Sequence, residues 1–263
     1  MRRIMMAGCL ATAMLTGCGA IQNMLTDTTV ITASRPFQGS PAENFADGAD
    51  GIVIPEAGDV GNFSAKDVKD AFQMSKRLLE AAHLDQQTLL GGKPDAFANL
   101  LDPEQRTYFL ENLDSTDAKK NTRGWVTSFA PGSAELVGPA IKVQSTMSAE
   151  SGKDEQGRSE LWVNYTIRLV YAVRPAGKEI PIIRVMAFVK ARHEYWRDEP
   201  GDPLRHWDGP STDTWTAGTE CGSKDRFVHP EFVREYNSIG QTDAYDDNAP
   251  ALKEGECGSV AEI

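Results

Sequence analysis

Leu161-Trp162-Val163-Asn164-Tyr165-Thr166-Ile167-Arg168-Leu169-Val170-Tyr171-Ala172-Val173 decides the fold class of this chain. Every odd position is apolar or aromatic, while Trp162, Asn164, Thr166 and Arg168 take even ones. Side chains alternate faces along a strand, so this period of two predicts one long strand with a buried face. Pro175-Ala176-Gly177-Lys178 then turns the chain. Ile183, Val185, Ala187, Val189 and Ala191 repeat the pattern, with Arg184, Lys190 and Arg192 opposite. The short connection makes the two strands antiparallel neighbours. Strands this long predict a strongly curved sheet. Upstream, Trp125 to Ala130 and Ile141 to Ser148 read as shorter strands, with Glu150 to Arg158 as a polar turn. Downstream, Trp215 falls in a final strand.

Ahead of the sheet the period becomes helical. Ser64 is an N-cap supported by Asp67, and Val68, Ala71, Phe72, Ser75, Leu78, Leu79 and Ala82 form one stripe to about His83. His83, at the helix C-terminus, reads as a surface residue favoured by the dipole. Gly91-Gly92-Lys93-Pro94 breaks the chain before a short helix through Leu101. Asp102-Pro103-Glu104-Gln105 starts a third helix with an acidic cap, Pro at the first position and Gln at the third. The fold class is therefore α+β, with N-terminal helices packed on a curved antiparallel sheet. Asp198 to Pro210 reads as loop, Pro230 to Tyr236 as one or two helical turns, and Asp243 to Pro250 as an acidic loop.

The N-terminus follows a different logic. Met1-Arg2-Arg3 precedes twelve uncharged residues, Ile4 to Leu15, and then Leu15-Thr16-Gly17-Cys18. A basic start, an apolar run and a small-residue cleavage site make a secretory signal. Twelve residues fall short of the roughly 20 needed to span a bilayer. Leu-Thr-Gly-Cys is the lipobox pattern, in which the Cys thiol takes a diacylglycerol. Met6-Ala7-Gly8-Cys9 is a looser rival that leaves too short an apolar run. Residues 1–17 are thus expected as a lipoprotein signal peptide, 18–63 as lipidated Cys18 and a flexible tether, and 64–263 as one domain. Within the tether Ile52-Val53-Ile54 is the one apolar patch, a candidate short strand docking on the domain. Two acyl chains suffice for stable anchoring, which places the protein on the extracytoplasmic face of the cell membrane. With Cys18 alkylated, Cys221 and Cys257 remain and are expected to pair in an oxidising compartment, pinning the C-terminal tail.

The chain holds 27 Lys and Arg against 38 Asp and Glu. Residues 1–17 contain two of those bases and no acid, so the processed chain carries −13. Such a charge argues against nucleic acid as a partner. Residues 159–197 are the exception, with seven basic side chains and three acidic ones. They form either an internally compensated surface or a patch of Arg168, Arg184, Lys190 and Arg192 for an anionic ligand.

Chemistry is sparse. There is no G-x-S-x-G, no phosphate loop around Gly91-Gly92-Lys93, and no EF-hand pattern around Asp47 and Asp50. His193, His206 and His229 are 13 and 23 residues apart and match no compact metal pattern. His193 and Glu194 adjoin in sequence, but strand neighbours face opposite ways. Neither long strand places an Asp or Glu on its apolar face. No cofactor or metal is expected.

Three helices followed by a long antiparallel sheet resemble, over Ser64 to Ala217, the nuclear-transport-factor-like α+β cone. Gly39-Ser40-Pro41-Ala42, Ala46-Asp47-Gly48-Ala49, Asn99-Leu100-Leu101-Asp102-Pro103 and Gly255-Glu256-Cys257-Gly258 resemble stretches of actinobacterial secreted lipoproteins of no assigned activity. The cone implies a possible interior pocket, for which Tyr165, Tyr171, His193 and Tyr195 are the polar-tipped candidates. Fold cannot choose among the enzymes and binding modules built on it. The expectation is a membrane-anchored envelope lipoprotein that binds a small ligand or partner protein without turnover. The alternative is a pocket enzyme or small-apolar-ligand carrier, which a carboxylate beside His193 would favour.

Overall fold

The computed structural model describes residues 31–233, 243–246 and 263, excepting the side chains of 209–212. The signal segment, Cys18 and Cys257 lie outside the described residues. Helix α1 spans Ala65–His83. The Ser64 hydroxyl accepts from Asp67 N–H while the Asp67 carboxylate accepts from Ser64 N–H, a reciprocal capping box. Its stripe buries Val68, Ala71, Phe72, Ser75, Leu78, Leu79 and Ala82, and each large apolar side chain contributes about 1.5–3 kcal/mol. His83 is buried too, at 5% exposure, because the chain closes over the helix end. It is not the surface residue expected.

Three short helices follow: α2 (Gln86–Leu89), α3 (Asp95–Ala98) and α4 (Pro103–Glu111). Asp85 and Asp102 cap α2 and α4 through their carboxylates. The short α2 was not foreseen. Phe97 and Phe109 meet edge to face at 5.3 Å and seal these helices against Leu78 and Ala82 of α1.

The sheet contains β1 (Ala46–Asp47), β2 (Ala134–Leu136), β3 (Lys142–Lys153), β4 (Ser159–Pro175), β5 (Ile183–Trp196) and β6 (Arg205–Ala217). Its order is β1-β3-β4-β5-β6, all antiparallel, with β2 pairing the last residues of β4 beyond the end of β3. Every odd residue of β4 from Leu161 to Val173 enters the main core, joined by Val185, Ala187, Ala191 and Tyr195 of β5 and by Phe72 and Leu79 of α1. The alternation in the sequence thus states which face the helices cover.

Besides the turn expected at Glu150 to Arg158, which shrinks to Asp154 to Arg158 because β3 runs on to Lys153, four segments depart from expectation. Trp125 to Ala130 is not a sheet strand. It leaves a 3-10 turn, Thr122–Trp125, and touches Val228 through a single parallel bridge at Phe129. Asp198 to Pro210 is only partly loop, since β6 begins at Arg205. Pro230 to Val233 is not helical, and the rest of that stretch lies outside the described residues.

The fourth correction concerns 31–63 of the expected tether, residues 18–30 lying outside the described residues. From Ile31 the chain belongs to the same compact unit as the domain. Phe37 and Ala42 pack on Val170, Ala172 and Met186 at even positions of β4 and β5, the face away from α1. β1 then pairs the end of β3, and Ile52 and Phe63 reach the main core on the other side. The segment wraps the β3 edge from one face to the other. Lys76 of α1 fastens it by donating to Ala49 O at 2.8 Å and Ile52 O at 3.0 Å. A residue larger than Gly at 51 would not fit, because a Cβ there falls 2.3 Å from Val143 O.

Candidate functional site

The four candidate pocket residues lie within the core. Tyr171 is 0% exposed, His193 1%, Tyr195 2% and Tyr165 6%. β4 aims Tyr165 and Tyr171 inward, and β5 aims His193 and Tyr195, because all four are odd. The Tyr165 and His193 rings lie 4.7 Å apart. Tyr195 Oη and Ser75 Oγ share a hydrogen bond of 2.7 Å, and Tyr171 Oη donates to His83 O at 3.0 Å. Burial raises the phenol pKa of all three tyrosines.

Sequence reasoning missed the carboxylate. Asp208 of β6 pairs with His193 in the strand register and places Oδ1 3.2 Å from His193 Nε2. Two register shifts between Lys190 and His193 adjust β6 at this point. Such irregularities re-aim side chains near sites. Gln105 fixes the Asp208 backbone, donating Nε2–H to its carbonyl and accepting from its N–H, both at 3.0 Å. The signal was available in the alternation of His206, Trp207 and Asp208, but a loop assignment concealed it. Gln105 had been read as an N-terminal capping partner; it serves the neighbouring strand instead.

Two further histidines surround the pair. His83 shares a hydrogen bond with Thr127 Oγ1 through Nδ1 at 2.9 Å, and burial holds its pKa down at about 4. His206 Nε2 lies 2.8 Å from Leu100 O, and burial lowers its pKa also. With Nε2–H donated to Asp208, His193 Nδ1 is left buried without a hydrogen-bond partner among the described residues. An unmet buried nitrogen costs about 1–3 kcal/mol. The geometry pairs an imidazole with a carboxylate and leaves Nδ1 as a hydrogen-bond acceptor for a donor that reaches it. Among the described residues, no group of three or more His, Cys, Asp or Glu is placed to hold a metal ion. His229 instead faces the Asp225 carboxylate at 3.0 Å.

Two arginines tie the helical layer to the sheet side of the fold. Arg205 grips the Asp102 cap with two hydrogen bonds, of 3.0 and 2.9 Å, which hold the Asp102 carboxyl below its usual range. Arg197 joins β5 to the α1 cap at Asp67. Of the expected anionic-ligand patch, Arg184 bonds Pro36 O, Gln38 O and Ile263 O. Arg192 pairs with Glu194 at 2.7 Å, and Arg168 lies over the Phe188 ring. Those side chains serve the protein's own structure.

An open groove of about 540 Å³ lies elsewhere, lined by Ala49, Arg77, Glu80, Leu84, Leu100 and Ile141 among others. It combines apolar side chains with one cation, Arg77, and two carboxylates, Glu80 and Asp85. Cys221 is disulfide-bonded, and its expected partner, Cys257, lies outside the described residues. No helix among the described residues is long and apolar enough to cross a membrane. No protein-family profile, curated protein or solved structure matches this chain.

Proposed function

We propose that this chain is a membrane-anchored envelope lipoprotein whose domain binds a partner or ligand at its surface without turnover. The lipobox at Leu15 to Cys18 supports the anchor. One observation carries the non-catalytic reading: Tyr171, Tyr195 and His83 are buried and engaged with one another's neighbours, while the groove beside Arg77 is open. Concave sites with few convergent polar groups are where small ligands and peptide segments bind.

The test has two parts. Cys18→Ala in cells should release the protein from the membrane fraction or leave an uncleaved precursor; unchanged fractionation and mobility refute the anchor. Capture from envelope extract by the processed chain, with mass spectrometry for proteins and metabolites, should fall for Arg77→Glu. Equal capture by the variant removes the groove from the proposal.

A second reading is favoured by one specific observation, the Asp208 carboxylate 3.2 Å from His193 with Nδ1 bare. It is a pocket enzyme or small-apolar-ligand carrier of the cone type, with His193 as acceptor and Tyr165 beside it. Native mass spectrometry of the purified protein distinguishes the two. A stoichiometric small molecule lost in His193→Gln supports the second reading, and a bare mass argues for the first.

A further inference from the structure

The N-terminal segment and the aromatic part of the sheet share one side of the domain. Phe37 packs with Val170 and Met186 on the face away from α1, and Arg184 on that face holds Pro36 O and Gln38 O. Thirteen steps separate Ile31 from Cys18, and in any conformation they span at most about 45 Å. β4, with 17 residues, is itself about 56 Å long at 3.3 Å per residue. A body anchored at Cys18 stays within its own length of the bilayer.

That side is floored with indoles. Trp162 of β4 and Trp207 of β6 flank Glu194 across the sheet, and Trp215 stacks on Phe188 at 5.1 Å; all three indoles are partly exposed. Trp162 lies flat over Gly152, where a Cβ would come 2.2 Å from its Cζ2. The Arg192 guanidinium sits 4.1 Å from the centre of the same ring. Indoles, apolar with one polar edge, settle in the head-group layer of bilayers. Glu150 and Glu194 lie opposite Trp162 in the strand register and Glu160 accepts from its Nε1 at 2.7 Å, so the patch is not basic. Because Arg192 is paired with Glu194, the rings carry more of the contact than net charge does.

The geometry points to a second membrane contact: the outward face of β4, β5 and β6, centred on Trp162 and Trp207, rests in the head-group layer beneath which the Cys18 acyl chains are sunk. This rests on the lipoprotein reading above. It turns α1, on the opposite face, away from the lipid.

The test couples Cys18 of residues 18–263 to maleimide-phosphatidylethanolamine in phosphatidylcholine–phosphatidylglycerol vesicles whose acyl chains are brominated near the head group. Tryptophan emission should be quenched relative to unbrominated vesicles. Trp162→Phe/Trp207→Phe should lose about half or more of that quenching, two of the three indoles on that face being gone. Unquenched emission overturns the proposal, as does quenching that the double variant keeps in full. Hydrogen exchange on the unmutated protein guards against misfolding: residues 205–217 should exchange more slowly on vesicles than when Cys18 carries a water-soluble maleimide, and equal rates overturn the contact. A bare Cys18 thiol in the native envelope protein would refute the lipoprotein reading separately, leaving the vesicle result to judge the surface.

Discussion

Acidification should weaken this protein through His83. The ring is 5% exposed, and burial holds its pKa at about 4 against an ordinary 6.5. Above pH 6.5 the imidazole is neutral in folded and unfolded chains alike, so its contribution is fully present there. Between 6.5 and 4 the unfolded chain binds a proton that the folded one refuses. Stability therefore falls with pH, by about 2 kcal/mol at pH 5 and about 3 kcal/mol by pH 4. The neighbouring Asp208 charge pulls the His83 pKa upward and His193 pushes it down, so burial sets the sign. Urea titrations of the wild type and His83→Gln at pH 7.5 and pH 5 measure the effect. The variant should lose about 2 kcal/mol less than the wild type over that interval. His206, also lowered by burial, titrates in both proteins and cancels in the difference. Parallel losses in the two proteins, or a His83 ring resonance titrating near its ordinary value, would refute the reasoning.

Other parts of the fold make separate demands. Gly152→Val should cost about 1–3 kcal/mol by driving Trp162 off the β3 backbone, read as a lower urea midpoint with red-shifted tryptophan emission. Gln105→Leu strips both partners from the Asp208 backbone and should cost about 2–4 kcal/mol; unchanged chemical denaturation would show that water replaces the amide. Arg123 is 2% exposed, doubly bonded to Asp114 and bonded to Gly92 O. Arg123→Met should lower the melting temperature by about 5–15 °C, and Arg123→Lys should recover only part of that, because Lys has no fork to match the carboxylate.

The hairpin and the first helix were legible because their patterns repeat. Leu161 to Val173 spells a period of two, and Ser64 with Asp67 marks the start of a helix whose stripe is buried as read. The N-terminal wrap was not legible. Phe37, Ala42, Ile52 and Phe63 are buried one at a time at irregular spacing, each against a different partner. No period exists for such a segment, and its glycines and prolines imitate a tether. β6 escaped for a related reason. His206 and Asp208 point inward as polar residues satisfied by Leu100 and His193, so hydropathy labels a core-facing stretch as loop. The candidate site was half visible: Tyr165 and His193 follow from strand parity, but Asp208 arrives only through the pairing of β5 with β6.

Residues 36–45 join the fold through partners far along the chain. Arg184 reaches back 148 residues to Pro36 and 146 to Gln38, and Phe37 shares its cluster with Ala217 and Ile263. Contacts of such separation close late, since the loop entropy must be met before they contribute. A polypeptide delivered vectorially, N-terminus leading, thus presents first the piece that settles last. Until that piece seats, Val170, Ala172 and Met186 remain wet on a hairpin already zipped, and that interval is when a chaperone or a neighbouring chain has something to grasp.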